Sequence, residues 1–224
     1  MLNIEKFKII YEKGQCMKVI DISWPITPKA TEYKDKETII FEEIKTFEHD
    51  RVRESKMTFI SHTGTHIDSP SHFIKDGKTI DQMSLSRCIG ACNVLDLMQV
   101  ADSIGMQDLK SFAINPGDIV LLKTKNSLCK ADDPFSYDFI YLDEGGANYL
   151  VDRGVRAVGI DYLGIERGQS DHPTHKALMK NDVAIIEGLR LEHVAPGEYF
   201  FCCLPMFLVG LDAAPARAVL IEGI

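Results

Sequence analysis

The chain has 224 residues, 45% of them hydrophobic and 26% charged, enough for one folded domain with a sizeable core and too apolar for a disordered chain. Its formal net charge is −8 and no basic cluster stands out, so neither nucleic acid nor an anionic membrane is an expected partner. The longest apolar stretch, Tyr199 to Leu211, is short and broken by Pro205, whereas a membrane span takes about 20 apolar residues.

The first 16 residues carry Glu5, Lys6, Lys8, Glu12 and Lys13 and lack the apolar centre of a signal peptide, so a cytoplasmic location is expected. Residues 1–16 read as an N-terminal extension, either a short extra helix or an over-extended gene start, and residues 17–224 as the domain proper. Val19 to Ile22 reads as a strand ended by Trp24-Pro25. Thr38 to Thr46 is a second strand, and Lys56 to Ser61 a third that leads into a histidine-rich segment. Asn93 to Leu97 is strand-like, Ser103 to Phe112 looks helical, and Asn115 to Asp118 is a turn before the apolar strand Ile119 to Lys123. Gly145 to Arg153 predicts a short helix closed by Gly154. Val155 to Ile160 and Val183 to Glu187 are nearly all apolar, as suits strands buried on both faces. After the turn Ala195 to Glu198 come the late strands Tyr199 to Leu204 and Ala218 to Glu222. Strands outnumber helices and no repeat or long linker appears. The expected fold is a single compact mixed α/β domain with a largely buried sheet.

Six cysteines are present, at 16, 88, 92, 129, 202 and 203, with no Cys-x-x-Cys pair. They read as free thiols in a reducing compartment rather than as metal ligands or nucleophiles.

Three of the seven histidines fall between residues 62 and 72, in the pattern His62-x3-His66-x-Asp68-x3-His72. Imidazole nitrogen and carboxylate oxygen are the ligands a catalytic Zn²⁺ or Mn²⁺ accepts. Gly64, Pro70 and the β-branched Thr63, Thr65 and Ile67 argue against a helix here. On an extended stretch His66 and Asp68 point to one side, and Gly64 lets the backbone bend so that His62 joins them. A polar loop without metal is the competing reading, but three histidines and an aspartate in eleven residues outweigh it. A structural zinc site would be closed and cysteine-rich, so a catalytic one is expected. Further on, Asp171, His172 and His175 precede Glu187, which ends an apolar run where an unpaired carboxylate would be costly. Composition alone leaves the choice between His172 and His175 open.

The segment Ser61-His62-Thr63-Gly64-Thr65-His66-Ile67-Asp68-Ser69-Pro70-Ser71-His72-Phe73 resembles the signature of the cyclase-like metal hydrolases, a family that includes bacterial kynurenine formamidases (arylformamidases) and isatin hydrolases. Val19 to Ser23, Gly117 to Leu122, Val158 to Asp161, Glu187 to Leu189, Leu204-Pro205 and Gly210 to Ala218 are similar to it as well, so the resemblance runs from about residue 17 to 222. It implies a swivelling β/β/α fold with a curled central sheet, assembled as a homodimer, homotetramer or other homo-oligomer. It places His62, His66 and Asp68 on one metal. Asp68 and Glu187 bridge to a second metal in two-metal members, His175 is the late histidine ligand, and His72 is the proton-transferring histidine. One or two Zn²⁺ ions are implied for a formamidase and Mn²⁺ for an isatin hydrolase. Where kynurenine formamidases often carry a substrate-stacking Trp, Tyr33 stands nearest and Trp24 comes earlier. Asp212-Ala213 replaces the family's frequent Asp-Gly, a change expected to matter only to local backbone shape.

The expected activity is hydrolysis of a formyl-amide such as N-formylkynurenine, a step of tryptophan breakdown. A cyclic amide, imide or lactone is the second choice, and a non-catalytic metal- or ligand-binding domain belongs to a different class. Tyr33, Phe73 and Phe207 are candidates for stacking on a small-molecule substrate, with core packing the competing role for Phe73 and Phe207. Asp161 and Asp171 are expected to cap turns or lie at the surface rather than to orient ligands. No Gly-x-Ser-x-Gly elbow supports a serine hydrolase.

Overall fold

In a computed structural model of the chain, which describes residues 7–10 and 16–223, thirteen strands and four α-helices alternate. The first half holds β1 (Phe7–Ile10), β2 (Cys16–Asp21), β3 (Ile40–Lys45), α1 (Phe47–Asp50), β4 (Glu54–Thr58), β5 (His66–Asp68), β6 (Ile89–Asp96), β7 (Ser103–Ile104) and α2 (Met106–Leu109). The second holds β8 (Ile119–Lys123), β9 (Tyr141–Leu142), α3 (Glu144–Asp152), β10 (Ala157–Ile160), α4 (Pro173–Lys180), β11 (Ala184–Glu187), β12 (Gly197–Pro205) and β13 (Ala213–Glu222).

The main sheet runs β1-β2-β13-β12-β6-β8-β10-β11-β5, and β13 pairs with β5 as well as with β12 and β2. That extra pairing, Ala213↔Asp68 to Pro215↔His66, closes seven strands into a mixed barrel. The strands β6, β8, β10 and β11 are parallel, and the rest of the ring is antiparallel. Closure leaves the ring no free edge to aggregate through.

Alternation along the parallel strands divides the core in two. Ile119, Leu121, Ala157 and Ile186 face the barrel interior with Ile67, Phe201 and Leu220. Val120, Leu122, Val158 and Ile185 face outward against Ala147 and Leu150 of α3 and Leu178 and Met179 of α4. Both faces are covered, which accounts for the nearly all-apolar runs of β8, β10 and β11.

Three expectations are corrected. Residues 7–10, inside the stretch read as a possible helix, form β1 and pair antiparallel with β2; the rest of residues 1–15 lies outside the described residues. In place of a helix over Ser103 to Phe112, Ser103–Ile104 pairs with β9 and a single turn follows. Asp108 there caps Gly105 N–H at 2.8 Å, so strand pairing overrides local helical preference. The last strand begins at Ala213 rather than Ala218, because β5 recruits Ala213 to Pro215. The helix α4, not anticipated, starts with Pro173 in its first turn, where a missing N–H costs nothing.

Thiols at 88, 92 and 203 are buried, those at 129 and 202 partly so, and all five are free. Burial pushes Cys88 and Cys92 up to about 12, far from reactive thiolate character.

Candidate metal centre

Ile67 of β5 and Ile186 of β11 point into the barrel, so His66, Asp68 and Glu187 point out of it. Register places Glu187 directly opposite His66. The helix α4 packs on that outer face and brings His175 down onto the same carboxylates. Two glycines permit the close approach. Gly64 (φ +62°) turns the chain between His62 and His66, and Gly188 (φ +70°) lies against Gly64, where any side chain would collide with the Gly64 carbonyl. The Thr65 hydroxyl ties the elements together: it donates to the Gly188 carbonyl at 2.5 Å and accepts from Trp24 N–H at 2.7 Å.

The hydrogen bonds decide which imidazole nitrogens are free. His66 Nδ1 lies 2.9 Å from the Gly64 carbonyl, which only accepts, so Nδ1 carries the hydrogen and Nε2 is left bare in the neutral ring. His175 Nδ1 lies 2.6 Å from Glu166 Oε2, which leaves its Nε2 in the same condition. Both Nε2 atoms converge on two buried carboxylates. His66 Nε2 is 3.3 Å from Glu187 Oε2 and 3.5 Å from Asp68 Oδ1; His175 Nε2 is 3.4 Å from Glu187 Oε1 and 3.8 Å from Asp68 Oδ2. His62 completes the group, with Nδ1 2.9 Å from Asp68 Oδ1 and Nε2 2.9 Å from Asp212 Oδ2.

Bare nitrogen lone pairs aimed at carboxylate oxygens repel unless a proton or a metal cation lies between them. His66 Nε2 is buried without any hydrogen-bond partner, a costly arrangement without such an ion. The donor set of histidines and carboxylates fits a divalent metal. His66, Asp68 and Glu187 offer three ligand atoms within 4.8 Å of one another, as do His62, Asp68 and His72. Electrostatics agree. Burial opposes charge on His62 and His175, yet the carboxylates overcome it and raise them to about 9 and about 10. Burial likewise opposes charge on Glu187, but His175 and His66 hold its carboxyl well below the usual range. The pocket thus attracts positive charge.

His72 differs from the ligands. It ends a 3₁₀ turn, Pro70–His72, half-buried, with its ring 4.1 Å from that of His62 and Nδ1 3.4 Å from Asp212 Oδ2. Burial and the neighbouring His62 and His175 lower its pKa although Asp68 and Glu187 pull the other way.

The structure therefore brings His62, His66, Asp68, His72, His175 and Glu187 into one cluster. His172 stays outside it: exposed, 4.0 Å from Glu166, with its ring on Phe73. Phe73 walls the site, its ring 4.2 Å from His72 and 4.5 Å from His175, and it also packs against the outer core. Tyr33 is half-buried against Phe135 and feels the charges of Glu187 and Glu166, which add to the effect of burial in raising its pKa. Phe207 is 81% exposed, so core packing is not its role. Trp24 is a structural residue, edge-on to Tyr162 and covered by Arg190.

Asp161 caps a turn, as expected, accepting from the N–H and hydroxyl groups of Thr124 and Ser127. Asp171 is at the surface, paired with Lys176. Sequence reasoning missed Glu166 and Asp212. Neither lies in a histidine pattern; only their contacts with His175, and with His62 and His72, expose them.

Comparison with known proteins fits this geometry. The family model described as "Putative cyclase" matches residues 20–167. The kynurenine formamidase of Bacillus cereus is 32% identical over 203 residues, which cover 90% of this chain and 96% of that one. Cyclase-like protein 3 of Oryza sativa subsp. japonica is 34% identical, over 77% of this chain and 67% of its own. A solved structure described as a potential metal-dependent hydrolase with cyclase activity superposes with a TM-score of 0.84 at 44% identity, covering 92% of this chain and 98% of that one. Isatin hydrolase A of Ralstonia solanacearum shares the fold at a TM-score of 0.80 and 18% identity, over 92% of each chain. The chain belongs to the "Putative cyclase" family, within the metal-dependent hydrolases.

Proposed function

We propose that the chain is a metal-dependent amide hydrolase that opens N-formylkynurenine to kynurenine and formate. The observation that carries the reading is the convergence of bare His66 and His175 nitrogens on the Asp68 and Glu187 carboxylates. His62, His66 and Asp68 would hold one Zn²⁺, and Asp68, His175 and Glu187 would hold a second. Mn²⁺ is the alternative ion, and a single ion the alternative count. Bound there, such an ion lowers the pKa of water to about 7 and polarises a carbonyl.

The protein's own groups do the rest. His72, kept neutral by burial, takes the proton of the attacking water and returns it to the departing amide nitrogen. Asp212 orients it and holds His62 Nε2–H. Glu166 fixes the His175 ring so that Nε2 is the nitrogen that would be offered to a metal. Phe73 and Tyr33 line the place of the aryl group, and Phe207, exposed on its loop, is a further candidate for stacking on it. The Bacillus kynurenine formamidases, alike over nine-tenths of the chain, support this substrate. The enzyme works as a cytoplasmic homo-oligomer on a small molecule, without nucleic acid or membrane.

The test is turnover of N-formylkynurenine, isatin and simple lactones with Zn²⁺, with Mn²⁺ and with chelator. Chelator-sensitive release of formate from N-formylkynurenine, in preference to opening of the rings, is the expected result. Preference for isatin or a lactone would move the substrate to a cyclic amide or ester. No chelator-sensitive turnover on any of them would leave a metal-binding domain without this chemistry.

A further inference from the structure

Three consecutive residues join the metal centre to the aromatic group beside it. Gly164 seats the Tyr33 ring: a side chain there would meet that ring at 3.2 Å and the Phe139 ring at 3.3 Å. The Ile165 N–H donates to Glu187 Oε1 at 2.7 Å. Glu166 Oε2 accepts from the His175 N–H at 3.1 Å and lies 2.6 Å from His175 Nδ1. Tyr33 is thus packed on the same short segment that holds two candidate ligands, with Phe135 against its other side.

The stretch that carries Tyr33 is firmly held. The Thr31 N–H and hydroxyl both reach the Ala131 carbonyl. Buried Glu32 accepts from the N–H and the hydroxyl of Thr38, which closes the stretch on itself. Asp35 Oδ1 accepts from the Phe135 N–H at 2.9 Å. Lys34, Asp35 and Glu37 take left-handed backbone, at φ +58°, +51° and +53°. Residues other than glycine keep that conformation only where their surroundings over-determine it, and such residues cluster at functional sites.

Three cations lie over these aromatic rings, and two of them are engaged. Arg167 covers Phe139 and Tyr141 and pairs with Asp102. Arg190 covers Trp24 and donates to the Cys129 carbonyl. The third, Lys34, is exposed, with Nζ 5.2 Å from the centre of the Tyr33 ring, and it pairs with no carboxylate among the described residues. Its acidic neighbours Glu32 and Asp35 are committed to Thr38 and Phe135. The carboxylates around the centre, Asp68, Glu166, Glu187 and Asp212, repel an anion, on a chain of net charge −8. An ammonium held beside the ring, outside that acidic cluster, favours a substrate that carries its own negative charge there.

We propose that Lys34 is a specificity-determining residue that takes the carboxylate of an aromatic amide whose acidic end lies beyond the ring, away from the bond that is cut. With the amide at the metal centre and the ring against Tyr33, a group on the far side of the ring comes to the Lys34 ammonium. This role rests on the amide-hydrolase reading above and narrows its substrates to acidic aromatic amides.

The experiment is steady-state kinetics of the metal-loaded full-length protein on N-formylkynurenine, which carries a carboxylate beyond its ring, and on formanilide, which has none. Lys34→Met is expected to lower the ratio of the two kcat/KM values by about fivefold, the scale of one exposed ion pair, through KM rather than kcat. Lys34→Arg is expected to restore the ratio, and Lys36→Met, the same change of charge on the same stretch, to keep it. An unaltered ratio in Lys34→Met would overturn the proposal, as would an equal fall in Lys36→Met or turnover of formanilide alone. If neither formamide is hydrolysed, the substrate reading fails by itself, and calorimetry on the metal-loaded protein decides the role of Lys34. Phenylbutyrate is then expected to bind the parent more tightly than Lys34→Met, with phenylbutanol bound alike by both. Equal affinity for phenylbutyrate, or no binding of it, would overturn the proposal.

Discussion

At the residue scale, the centre works by withholding partners. Gly64 O and Glu166 each occupy one nitrogen of a histidine and so present the other, bare, to the carboxylates. Asp68→Ala or Glu187→Ala removes a carboxylate shared by two histidines, and purified protein is expected to lose most of its metal by elemental analysis. Full occupancy in both would show the ligands to be misassigned. His72→Ala should retain metal and lose turnover by about 10²-fold or more; parallel loss of both would make His72 a ligand instead. Glu166→Gln keeps the volume but removes the charge that holds His175 Nδ1–H. Metal affinity by chelator competition is expected to fall by about 10- to 100-fold, and unaltered affinity would leave Glu166 with packing alone.

At the element scale, two short strands and one helix carry four of the six clustered side chains, so their fit matters more than their length. The strand β5 has three residues, yet it is bonded to both β11 and β13 and cannot slip without turning Ile67 out of the core. Gly188 lets the end of β11 press against the His62–His66 loop. Gly188→Ala meets a left-handed φ, costing about 1–3 kcal/mol, and a clash with Gly64 O. The expected result is a lower thermal midpoint together with lower metal content, and a variant as stable and as metal-rich as the parent would contradict the packing described.

At the scale of the whole molecule, the candidate ligands come from residues more than a hundred positions apart, and an ion held by them would join β5, β11 and α4 across the outside of the barrel. A metal that binds only the folded chain stabilises it by mass action, about 2.7 kcal/mol at a hundredfold excess over Kd. For a domain of this size that is about 5–10 °C in Tm. Stripping the ion with chelator should lower Tm by that amount, and restoring Zn²⁺ or Mn²⁺ should recover it. Identical melting with and without chelator would mean that no ion ties these elements together.

Local pattern determined much of this. Nearly all-apolar runs marked β8, β10 and β11, since strands covered on both sides tolerate no polar face, and the His62 to His72 spacing marked a metal segment because few other uses need those side chains so close. Resemblance to a family selected His175 over His172. Only the tertiary structure decided the rest. Ring closure through Ala213 to Pro215 depends on a partner strand far away in sequence. The short helix that carries His175 has little local signal beyond Pro173. Glu166 and Asp212 matter through contacts with imidazoles, and a carboxylate in a sequence looks the same whether it meets water or a buried nitrogen. The reason is common to all three: which face an element buries, and against what, is set by packing between distant segments rather than by the neighbours along the chain.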